Sequence, residues 1–99
     1  MVLDVQLTET EIKLIKVFDS MKSLLIEKNK RYGDAALAPK NIFSKLDAGE
    51  GIKVRLDDKL SRIINNKSEV RKNDVADLIG YLILYCVSQD WLDFSELLD

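Results

Sequence analysis

A chain of 99 residues, 46% apolar and 32% charged, has the composition of one soluble globular domain and not of a disordered tail. Its 15 basic and 17 acidic side chains leave a net charge of −2, which gives no basic footprint for duplex nucleic acid. There is no histidine, so Ser-His-Asp machinery, Cys-His machinery and histidine-bearing zinc sites are excluded. Any catalysis would fall to carboxylates and lysines, and carboxylate oxygens suit a hard cation such as magnesium or manganese.

The first element opens on "TETE", a capping box in which Thr8 accepts from the amide of Glu11 while the Glu11 side chain reaches back to the amide of Thr8. Leu14, Ile15, Phe18, Met21, Leu24 and Leu25 then recur at helical spacing, with Lys13, Lys16, Lys22 and Lys28 between them. The spacing predicts a helix over about 8–31 that stops at Tyr32-Gly33, where glycine supplies the left-handed terminal conformation. "GDAALAPKNIFSKLDAGEG" follows, with the only proline and three of the four glycines. It reads as a long excursion with a short helix at 41–46, and an ordered loop of this length is more often functional than idle.

A second helix is predicted over 51–66. Ile52, Leu56, Leu60, Ile63 and Ile64 form its buried stripe, and Lys53, Arg55, Asp57, Asp58, Lys59 and Arg62 fill the remainder. "GIKVRL" also alternates like a strand, but the spacing from Leu56 onward is helical. A third helix starts within 68–73 and runs to about 88. Leu78, Ile79, Leu82, Ile83, Tyr85, Cys86 and Val87 cover nearly its whole circumference, which makes it the central element of a bundle. In "DWLDFSELLD", Trp91, Phe94, Leu97 and Leu98 predict a short closing helix that caps the core or a partner. The apolar run 78–87 is too short to cross a bilayer, and "MVLDVQLTETE" has no leader pattern. Cys86 stands alone, so no intrachain disulfide is expected and a reducing, cytoplasmic setting is. The fold expected is a compact all-α bundle of three main helices and a short C-terminal one. So small a core favours a homo-oligomer, dimer or tetramer.

Asp74 and Asp77 pose the chemical question. Three- and four-residue steps put them on one helix face, with Tyr81 one turn beyond. Acids in a first turn complement the helix dipole, and Asn73 or Asp74 could cap the helix. Asp77 borders the apolar run, however, and a carboxylate there needs a cation nearby. Lys59 or Arg62 of the second helix would supply one as a salt bridge; a metal ion would be the alternative. Asp58 borders the buried stripe of the second helix and could join a metal, whereas Asp57 reads as solvated surface.

The order "KNKRYGDAALAP…FSK", then "GIKVRLDDKLSRI", then "NDVADLIGYLILY" resembles a group of small phage proteins described as MazG-like or nucleotide-modification-associated. The resemblance spans roughly residues 24–88. It implies the all-α nucleoside triphosphate pyrophosphohydrolase fold, whose helices carry a Glu-Glu-x-x-Glu motif and a Glu-x-x-Asp motif that bind magnesium. Asp57 and Asp58 stand where the glutamate pair would be, and Asp74 and Asp77 stand for Glu-x-x-Asp. Ser61 replaces the third glutamate. By resemblance, Asp58, Asp74 and Asp77 would be the catalytic, magnesium- or manganese-binding residues of an enzyme that cleaves a (deoxy)nucleoside triphosphate to monophosphate and pyrophosphate. Lys28, Lys30, Arg31 and Lys59 would meet phosphates, Tyr32 would stack on a base or else pack under the loop, and Arg62 and Tyr81 are further candidate substrate contacts. The bland reading of Lys28, Lys30 and Arg31 is a solvated basic helix end. With Ser61 in place of an acid, the alternative is a catalytically degenerate phage protein, in the infected host's cytosol, that sequesters a nucleotide or an immune signalling nucleotide. A purely structural helical protein using Trp91 and Phe94 to hold a partner is the third reading.

Overall fold

The computed structural model describes residues 6–38, 46–65 and 69–98, and among these the chain is all-α, with no strand. The first helix, α1 (Glu9–Tyr32), begins at the expected capping box: Thr8 Oγ1 accepts from Glu11 N at 3.1 Å, and Glu11 Oε1 accepts from Thr8 N at 2.8 Å. These hydrogen bonds, the one from the Thr8 backbone first, hold the Glu11 carboxyl below its ordinary range. At the far end Gly33 adopts φ 56° and donates its N–H to Asn29 O, while Lys30 and Arg31 place positive charge in the last turn. Asp34 follows with φ 60°, and Asn29 Nδ2 donates to its Oδ1, so two consecutive left-handed residues turn the chain off the helix axis.

The second helix, α2 (Ala48–Asn65), starts three residues before the expected 51. Asp47 is the reason: its Oδ1 accepts from Glu50 N at 2.8 Å and its carbonyl accepts from Gly51 N at 2.9 Å. The alternating "GIKVRL" is helical, not a strand. The short helix expected at 41–46 lies, but for the exposed Leu46, outside the described residues.

The third helix, α3 (Lys72–Ser88), begins within the expected window, but its N-cap is Arg71 with no side-chain cap bond. Asn73 and Asp74 are therefore inside the first turn, where Asp74 serves the dipole and does not cap it. The closing segment contracts to a single 3₁₀ turn, η1 (Ser95–Leu98), because Asp90 takes φ 58° after α3 and Trp91 N donates back to Cys86 O at 2.9 Å. Trp91 packs edge-on against Tyr85 at 5.9 Å between ring centroids, and Phe94, Leu97 and Leu98 stay exposed. The tail thus covers little of the core.

α2 and α3 run antiparallel. Lys59 meets Asp77 and Arg62 approaches Asp74 at one end, while Lys53 lies over the Tyr85 ring and Gly49 beside Gln89 at the other, so numbering rises along one helix as it falls along the other. α1 is antiparallel to α3 in turn: Leu25 sits against Gly80, and Lys28 reaches Asp77 one turn further on. Gly80 permits this approach, since a Cβ there would stand 2.9 Å from Leu25 Cδ2. Ile52, 2% exposed, is the buried apolar side chain of the described core. Of the stripe expected on α2, Leu56 and Ile63 are half-buried, whereas Leu60 and Ile64 are exposed. Among the described residues no helix is long and apolar enough to cross a membrane.

Candidate functional site

Five positions of α2, Ala48, Ile52, Arg55, Lys59 and Arg62, return to one side at three- and four-residue steps. That side is turned to α3, because Lys59 and Arg62 meet the α3 acids. The apolar half of this face anchors at Ile52, and the other half is cationic. Asp58 differs from Lys59 by one residue, which on a helix is about 100° of rotation. It stands on the flank of α2, exposed to solvent, and Asp57 is exposed as well.

Asp77 is consequently engaged by two ammonium groups. Lys59 Nζ lies 2.9 Å from its Oδ2 and Lys28 Nζ 3.5 Å from its Oδ1. The hydrogen bond from Lys59 holds the Asp77 carboxyl below its ordinary range, with the Lys28 charge assisting and partial burial opposing. Arg62 Nη1 stands 4.0 Å from Asp74 Oδ1, and Asp74 is the more enclosed partner. Of the two cation sources open from sequence, these acids have the lysine and arginine side chains of α1 and α2. Among the described residues no three acidic or thiol side chains come together as a metal-holding group. The set Asp58, Asp74 and Asp77 therefore does not fit a shared magnesium ion as folded: Asp58 stands exposed on the flank of α2, Asp77 is held by two ammonium groups, and Asp74 has the Arg62 guanidinium 4.0 Å away.

Beside this ion-pair cluster lies a cleft of about 510 Å³, within the range of small-molecule sites. α1 contributes Lys28, Asn29 and Tyr32; α2 contributes Arg55; α3 contributes Asp77 and Tyr81. The buried pair Ile52 and Gly80 also lines it, together with Leu24, Leu25 and Leu84. The charged lining of the cleft is balanced, with Lys28 and Arg55 against Asp47 and Asp77, and two tyrosines and the apolar walls suit a ligand with a flat apolar part.

Of the nucleotide-contact residues expected from sequence, Lys28, Tyr32 and Tyr81 line the cleft, and Lys59 stands at its edge through Asp77. Arg62 lies beyond, against Asp74. Lys30 is exposed and outside the lining, and Arg31 turns back to Glu27 at 3.2 Å. Arg55, which makes no ion pair among the described residues, was assigned only to the charged surface of its helix. Its spacing of four from Lys59 and three from Ile52 is the signal that marks it as part of the inner face. No protein-family model, curated protein or solved structure matches the chain.

Proposed function

We propose that this cleft binds a nucleotide and holds it without cleaving it, as a sequestering protein would. The observation that carries this reading is the engagement of Asp77 by Lys59 and Lys28 at the edge of a cleft that also holds Arg55, Tyr32 and Tyr81. Lys28 and Arg55 would meet phosphate oxygens, with Arg55 able to do so through two parallel hydrogen bonds. Tyr32, two-thirds exposed, offers a ring on which a base can stack. The resemblance over residues 24–88 supplies the choice of nucleotides among anionic aromatic ligands.

That same resemblance, with Asp74 and Asp77 on one face of α3, favours a second reading, a magnesium-dependent pyrophosphohydrolase. Equilibrium binding of a panel of ribo-, deoxyribo- and cyclic nucleotides, in EDTA and again in magnesium, separates the two. Sequestration predicts intact nucleotide retained in EDTA, binding weakened about tenfold or more by Arg55→Ala, and binding preserved in Asp77→Asn. Release of monophosphate and pyrophosphate in magnesium, lost in Asp77→Asn, would establish the hydrolase instead. An absence of both retained nucleotide and released product under the two conditions would overturn both.

A further inference from the structure

Of the four charged side chains that line the cleft, two answer one another and two do not. Lys28 meets Asp77 at one carboxylate oxygen, and Lys59 takes the other. Arg55 and Asp47 make no ion pair among the described residues. Phosphates of the ligand would answer Arg55. They do not answer Asp47, because a carboxylate in the wall of a site for an anion repels it unless hydrogen-bond donors of the ligand face it. Capping α2 leaves that charge unexplained. Asp47 Oδ1 accepts from Glu50 N at 2.8 Å, a task that asparagine or serine performs as well, and the helix dipole adds only a modest preference for an acid. A carboxylate can accept about four hydrogen bonds, so most of its capacity stays free for a ligand.

We infer that Asp47 reads the base of the bound nucleotide and selects guanine. This rests on the nucleotide reading of the cleft and adds its specificity. Asp47 precedes Arg55 by about 12 Å along the axis of α2, at 1.5 Å per residue. With phosphates at Arg55 and Lys28, the carboxylate therefore faces the far end of the ligand. The ribose hydroxyls lie too near the phosphate for that separation, whereas the outer edge of the base does not. Guanine alone among the common bases carries two adjacent donors on that edge, the ring N1–H and the exocyclic amine, and a carboxylate accepts both side by side. Adenine and cytosine put a ring acceptor beside their amine, and uracil and thymine flank their ring N–H with carbonyls. Each of these sets a lone pair against a carboxylate oxygen.

The test is equilibrium binding of guanosine, inosine, xanthosine and adenosine 5′-triphosphates, in EDTA, to the full chain and to Asp47→Asn. Asparagine caps a helix as well as aspartate, so the variant keeps its fold, which an unchanged melting temperature checks. The wild type is expected to bind the guanosine nucleotide about tenfold more tightly than inosine, which lacks the amine, and about 100-fold more tightly than adenosine. Asp47→Asn offers one acceptor and one donor. It is expected to bind xanthosine, whose carbonyl replaces the amine, more tightly than guanosine, an inversion that a merely structural role would not produce. Guanosine bound no more tightly than adenosine, or a preference unchanged in Asp47→Asn, overturns the inference and leaves the nucleotide reading standing. Binding of none of the four overturns that reading and the inference with it.

Discussion

Two seams meet on α3, and they are built in opposite ways. Against α2 the contact is long and mixed, with Ile52 buried at its centre, the Lys59–Asp77 and Arg62–Asp74 pairs at one end, and Lys53 over Tyr85 at the other. Against α1 it is short and rests on Leu25 at Gly80 and Lys28 at Asp77, after which the stripe of α1 continues into solvent. The difference separates two requirements of helix packing. Charges opposite one another specify which residue meets which, but exposed or half-exposed pairs add little energy. Apolar burial supplies the energy, and within the single chain it is concentrated in the α2–α3 seam.

Substitutions at the two seams should therefore differ in size. The largest effect is expected for Ile52→Ala, which removes the buried side chain and should lower the unfolding free energy from urea titration by about 2–4 kcal/mol. Gly80→Leu strikes the α1 seam; it should cost about 1–3 kcal/mol by forcing Leu25 aside, and amide exchange along the C-terminal half of α1 should rise with it. Asp77→Asn breaks both lysine contacts and should cost about 1 kcal/mol at pH 7. Its pH dependence carries a sign. The Asp77 carboxyl is lowered in the folded state, so its contribution is complete above the unfolded value near about 4 and is lost as pH falls through the lower folded value. The stability gap between wild type and Asp77→Asn should accordingly be flat from neutral pH to about 5 and close below about 4. Smallest is Thr8→Ala, expected to cost about 0.5–1 kcal/mol and to show as faster exchange of the first-turn amides of α1.

The parts of the fold that were legible in the sequence are those decided by near neighbours. The capping box needs Thr8 and Glu11 three residues apart, and the stop at Gly33 needs one left-handed residue; both stand as read. The start of α2 was missed by three residues because Asp47, not the glycine, sets it. The closing helix was overread: the spacing of Trp91, Phe94 and Leu97 is helical, but the turn at Asp90 spends those residues on an extended tail with one 3₁₀ turn. For the site, the step from Asp74 to Asp77 was enough to pair them and to name Lys59 and Arg62 as possible partners. What spacing could not decide was the rotation of α2. In a helix whose apolar stripe is only half-buried, Asp58 and Lys59 have similar claims to the inner face, and the tertiary pairing to α3 chose the lysine, bringing Arg55 with it.

Gly80 has a mechanical consequence. It is the point where α1 bears on α3, and from Leu25 the helix runs on for about 24 Å to its first turn at 1.5 Å per residue. α1 is thus a lever on a narrow fulcrum, and a tilt of about 10° there would carry its N-terminal tip through about 4 Å. Lys28 and Tyr32 ride on the short arm, so whatever steadies Phe18 on the long arm also sets where the ammonium group and the phenol ring stand in the cleft.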